Sequence, residues 1–163
     1  MIDLTVHTEK AKLAQKKNKK LAQVLRKKKP KSLDSITQEL HSEAFSHIDC
    51  LDCANCCKSI SPIVTDKDIQ RIAKHLRMRP AQLVETYLLL DEEHDYVFRQ
   101  QPCPFLGVDN YCSIYEVRPK ACREYPHTDR DKFHQLLNLS VKNTLICPAV
   151  LEIFEGLEKE FNL

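Results

Sequence analysis

Apolar residues recur every three or four positions along several stretches, and each such stripe predicts a helix with one buried face. Leu33, Ile36, Leu40, Ala44 and Ile48 form one stripe that starts after Ser32 and delivers the chain to Cys50. Ile69, Ile72, Ala73 and Leu76 form another over about 66–77, behind Thr65 and Asp68, whose spacing of three reads as a capping box. Pro80 suits the first position of a third helix, with Leu83, Val84, Tyr87 and Leu88 inward. Pro148 opens a last one that buries Val150, Leu151, Phe154, Leu157 and Phe161. Between them, Phe133, Leu136, Leu137, Leu139 and Val141 begin at helical spacing and end in alternation, so residues 132–146 are expected to be helical. Tyr96–Arg99 and Asn110–Cys112 are short enough for strand or extended loop, with a turn at Asp109-Asn110. The expected fold class is mainly α, a small irregular metal-stabilised helical domain with cysteine-bearing loops and little or no β.

Residues 1–31 differ from the rest. They contain good helix formers, no Gly or Pro before Pro30, and the tetrapeptide Lys-Leu-Ala-Gln at 12–15 and again at 20–23. They carry eleven Lys and Arg against two acids, whereas the remaining 132 residues carry fourteen against twenty-one. The formal total of +2 therefore hides a basic helical arm, 1–31, ahead of an acidic domain, 32–163. Such an arm is either a solvated lysine helix or a weak contact to nucleic acid or a ribosomal surface. It lacks aromatic residues, so stacking on bases is not expected.

A length of 163 residues suits one compact core, and no apolar run approaches the roughly 18 residues of a membrane span. The first thirty residues have no apolar signal-peptide centre, which makes the cytoplasm the expected compartment. Only Gly107 and Gly156 occur, so no glycine-rich phosphate loop can be written and nucleotide-binding folds are excluded.

Eight cysteines, about 5% of the chain, are more than ordinary usage and fewer than a small disulfide scaffold carries. In a reducing compartment they are suited to holding metal. Cys50, Cys53, Cys56 and Cys57 give C-x2-C-x2-C-C within eight residues. A two-residue spacer lets one turn aim two sulfurs at an ion, and a run of three resembles bacterial ferredoxin loops. This tilts the reading toward an iron–sulfur cluster, probed first as 4Fe–4S, and leaves zinc open. The ferredoxin pattern would put its next cysteine where Ile60 stands, so further ligands must come from Cys103, Cys112, Cys122 and Cys147. Adjacent Cys56 and Cys57 would point opposite ways in extended backbone, and are expected to serve different partners.

The sequence resembles the CxxCxxCC cysteine-cluster family of zinc- or iron-chelating domains. The resemblance rests on Cys50 to Cys57, on Pro102-Cys103-Pro104-Phe105-Leu106, on Cys112-Ser113-Ile114-Tyr115-Glu116 with Arg118-Pro119, and on Cys122-Arg123-Glu124-Tyr125-Pro126. It covers about residues 45–150 and implies metal or cluster binding through Cys50, Cys53, Cys56, Cys57, Cys103, Cys112 and Cys122. Members are often labelled iron–sulfur oxidoreductases, which implies a redox partner protein, and a related motif occurs in flagellin lysine methylases, whose remaining sequence this chain does not resemble. The residues themselves show no catalytic triad or carboxylate pair. Beside Cys122, Arg118 and Arg123 are expected either to offset thiolate charge or to pair with Glu116 and Glu124. His47 is expected at a helix end, and His127 in a loop. Three functions follow as expectations: an iron–sulfur protein with an electron-transfer role, a zinc-stabilised module holding RNA through its arm, or a metal chelator.

Overall fold

The computed structural model describes residues 2–163 and is mainly helical, with one small sheet. Backbone contacts divide the chain into two compact units, residues 1–53 with 126–163, and residues 54–125.

The first unit is built on three long helices. α1 (Leu4–Lys28) starts at Asp3, whose Oδ1 accepts the amides of Thr5 and Val6 at 2.9 and 3.1 Å. Basic residues fill its last turn, where they oppose the helix dipole. Its inner face holds Ala11, Leu21, Ala22 and Leu25, and Lys10 and Lys17 tie it to Glu155 and Glu158 at 2.8 and 2.7 Å. α2 (Leu33–His47) and α9 (Pro148–Phe161) carry the stripes read from the sequence, and they pack together where Gly156 meets Leu40. α8 (Leu137–Asn143) lies against α1, preceded by a 3-10 turn at Phe133–Gln135 whose Phe133 amide donates to Asp34 Oδ1 at 2.9 Å. Phe133, Phe154, Leu25 and Leu33 make the centre of this core.

The second unit has less regular structure. α3 (Cys50–Cys53) closes the first segment of unit one, and α4 (Asn55–Ser59) opens unit two. α5 (Asp66–His75) begins with the expected capping box at Thr65 and Asp68. α6 (Pro80–Tyr87) stops one residue earlier than the leucine run suggested. Leu88 instead starts β1 (Leu88–Leu90), which pairs antiparallel with β2 (Tyr96–Phe98) in the register Leu88 to Phe98. Leu88 is still buried, so its inward position is satisfied by strand pairing rather than by another helical turn. α7 (Lys120–Glu124) carries Cys122. Val64, Ile69, Ile72, Leu83, Leu88, Phe98, Phe105 and Ile114 form the core.

Candidate metal centre

Within the second unit, four thiols share one electrostatic neighbourhood. Burial, and then the nearby Cys57, Cys103 and Cys112, push the Cys122 thiol up to about 12. Burial likewise raises Cys103 to about 11, with Cys57 and Cys112 adding to it. Cys112 is raised by burial and by Cys57, and lowered in part by the Arg118 guanidinium. Repulsion of this kind disfavours ionisation of each thiol, and a bound cation would reverse it.

Local structure explains the convergence. The Cys103 amide donates to the Cys57 carbonyl at 2.9 Å, which fixes α4 beside the Pro102-Cys103-Pro104 loop. Phe105 anchors that loop from below, its ring 4.9 Å from Tyr87 and 5.6 Å from Phe98 between centroids. From there the chain turns at Asp109-Asn110 and returns so that Leu106 bridges to Cys112. Asp68 sets the position of α7: its carboxylate accepts the Lys120 amide at 3.1 Å while Arg71 holds the Arg118 carbonyl at 2.9 Å. Phe105, Asp68 and Arg71 were not singled out as site-builders by the sequence, although the capping pattern flagged Asp68 locally.

Cys56 and Cys57 lie on the helical turn α4, not on extended backbone, so their side chains diverge by about 100° and remain neighbours. A hydrogen bond from Cys56 holds Cys57 down to about 7, against the effect of burial and with help from Lys58. Arg118 stacks 3.8 Å above the Tyr115 ring and its charge favours the ionised forms of Cys112 and Cys122.

The first unit holds Cys50, Cys53 and Cys147. Cys53 is buried, Cys50 is exposed, and Cys147 caps the start of α9. Burial pushes Cys147 up to about 11, opposed by the amides of Val150 and Ala149 and reinforced by Cys50 and Cys53. His47 stands in the last turn of α2, where it pairs with Glu152 at 2.9 Å, and His127 is half-buried with φ 66°.

All eight cysteines are reduced thiols. Among the described residues no three Cys, His, Asp or Glu side chains are drawn to a single point in a metal-holding arrangement. Thiol sulfur, carried here by α4, α7 and the loops with Cys103 and Cys112, is nonetheless the donor type that both zinc and iron take. No described helix is long and apolar enough to cross a membrane. No match was found among curated proteins or among solved structures. The model of a family described as a putative zinc- or iron-chelating domain spans residues 49–141, more than half of the chain. With its cysteine motif inside that span, the chain belongs to the CxxCxxCC family.

Proposed function

We propose that this protein holds a metal centre, an iron–sulfur cluster or zinc, through Cys57, Cys103, Cys112 and Cys122. The observation that carries the reading is the match to a zinc- or iron-chelating family over residues 49–141, supported by the Cys103 N–H bond to the Cys57 carbonyl that sets two of these cysteine segments side by side. Of these four, Cys57 ionises most readily near neutral pH, which makes it the natural first contact for an incoming cation. Arg118 then offsets part of the negative charge that four thiolates accumulate. Phe105 and Asp68 fix the loop of Cys103 and the helix of Cys122. A bound cluster would supply one-electron chemistry to a partner protein, whereas zinc would supply structure alone. The reading places the chain in a reducing compartment such as the cytoplasm, where thiols stay available.

The test is anaerobic purification followed by a visible spectrum and measurement of iron, zinc and acid-labile sulfide per chain. Brown protein with sulfide supports the cluster, and colourless stoichiometric zinc supports the structural site. Cys103→Ser and Cys122→Ser should each lower the bound metal. Native protein free of both metals would end the proposal.

A second reading concerns α1, because Lys12, Lys16, Lys19, Lys20 and Lys27 are exposed and recur at helical spacing along one face. That stripe suits weak, salt-sensitive contact with an RNA backbone. Since Leu21 and Leu25 of the same helix are buried, charge substitution of the five lysines tests it better than deletion of residues 1–31. RNA retention that survives the substitution, or that ignores salt, counts against it.

A further inference from the structure

An open cleft of about 240 Å³ lies wholly within unit one, between the start of α1 and the start of α9, and no cysteine lines it. Two ion pairs set the register of its walls. Lys10 meets Glu155 at 2.8 Å and Lys17 meets Glu158 at 2.7 Å, so the two helices run in the same direction. One turn before Lys10 stands His7, and one turn before Glu155 stands Glu152; both line the cleft. Val6, Ile48 and Leu151 add apolar wall beside them.

His7 is 6% exposed, and its Nε2 has no hydrogen-bond partner. The bond between this ring and the Leu145 backbone therefore belongs to Nδ1, and because it favours the protonated ring it is donated to the carbonyl. Burial nevertheless lowers the ring's pKa, and Lys10 adds to that effect, so the ring is neutral at neutral pH with its proton on Nδ1. Nε2 is then a bare acceptor on the cleft wall, and leaving it unpaired costs free energy that a ligand N–H would recover. Carboxylates dominate the other polar groups. Asp3, Glu152 and Glu155 share the cleft with one cation, Lys10, which Glu155 already holds with both oxygens at 2.8 and 3.1 Å. Glu152 pairs with His47 at 2.9 Å and keeps further acceptor positions. Acceptors, surplus negative charge and an apolar wall together suit a donor-rich cation that carries hydrocarbon. Among the described residues no three Cys, His, Asp or Glu side chains are grouped to hold a metal ion, so the cation that fits is organic. The volume is below the roughly 300 Å³ at which sites for drug-sized ligands begin, so it is also small.

We propose that this cleft binds a small primary ammonium ion with a short hydrocarbon chain. Two of its N–H groups meet His7 Nε2 and Glu152, the third stays in water at the mouth, and the chain lies against Val6, Ile48 and Leu151.

The test titrates the full-length chain with n-butylammonium chloride at constant ionic strength and neutral pH, read by calorimetry and by the ring ¹⁵N shifts of His7. One ion should bind per chain in the millimolar range, and the His7 Nε2 signal should move on saturation while Nδ1 keeps its proton. n-Butanol, which has the chain without the charge, should bind at least about tenfold more weakly. Glu152→Gln should weaken the ammonium about tenfold. Val6→Trp alters a side chain that is 59% exposed, so it should fill the cleft and remove binding without disturbing the core. On the native sequence alone, absence of saturable binding, equal affinity for n-butanol, or a His7 Nε2 signal that ignores the ion would each overturn the proposal. Binding that survives both Glu152→Gln and Val6→Trp unchanged would put the ion elsewhere and overturn it as well.

Discussion

Cys57 differs from Cys103, Cys112, Cys122 and Cys147 in ionising easily, chiefly because of one contact. The Cys56 thiol donates a hydrogen bond that brings Cys57 down to about 7, while burial holds Cys103 and Cys147 near about 11. In the metal-free chain at neutral pH, about half of Cys57 is therefore thiolate, while Cys103, Cys122 and Cys147 are protonated. Cys56→Ala removes the donor, so Cys57 should move up toward the ordinary thiol range and its alkylation at pH 7 should slow by about tenfold. Cys56→Ser keeps an O–H donor and should restore most of the rate. The pH profile of labelling by iodoacetamide, read at Cys57 by mass spectrometry, checks both; a midpoint unmoved by Cys56→Ala would refute the contact's role. At this scale the sequence identified every thiol and could not rank them. Ranking depends on burial and on the helical turn at α4, which residue spacing alone does not reveal.

Elements join through residues whose local role is legible and whose distant role is not. Thr65 and Asp68 announce a helix start by spacing, because both partners of a capping box lie within one turn. The bond from Lys120 N–H to Asp68 links positions 52 apart, which no local pattern reveals. The same limit hid β1: Leu88–Leu90 reads as a helical continuation until β2 supplies its partner. The buried face of α1 was also obscured, since it is built largely from small and widely spaced residues such as Ala11 and Ala22 among lysines. Burial would raise the Asp68 carboxyl, yet the Thr65 amide, Arg71, the Thr65 hydroxyl and the Lys120 amide together hold it below the usual range. A depressed folded value contributes stability that is present above the unfolded carboxyl pKa of about 4 and is lost as pH falls through the folded value. Asp68→Asn should cost about 2–3 kcal/mol at pH 7 and flatten the acid limb of the stability profile, measured by urea unfolding from pH 7 to pH 3. An unchanged acid limb would show that other carboxylates dominate it. In the helical unit, a Cβ at Gly156 would come within 2.5 Å of Leu40, so α9 packs closely on α2 there. Gly156→Leu should lower stability by about 1–3 kcal/mol despite its better helix propensity, as thermal unfolding would report.

The two units differ in what they can bury without metal. Unit one rests on helices of 25, 15 and 14 residues around a core centred on Phe133 and Phe154. Unit two spans residues 54–125, and its longest helix has 10 residues and its strands three each. A unit of about 70 residues with so little regular structure is near the size at which a core alone is marginal and metals or cross-links take over. The segments carrying Cys103, Cys112 and Cys122 are mostly loop, so four thiolates binding one centre would close several loops at once. Structural zinc contributes about 10–16 kcal/mol of apparent binding, against about 5–15 kcal/mol for a whole domain. Chelation should therefore collapse amide protection across residues 96–125 while leaving α1, α2 and α9 protected, which hydrogen exchange on the loaded and stripped chain resolves segment by segment. Because thiols must lose protons to bind, the same loss should set in without chelator as pH falls below the range where thiolates compete with protons for the ion. Should both units lose protection together, metal would be a condition of folding for the whole chain. Should neither respond, the thiols would be packing residues and the centre would not exist.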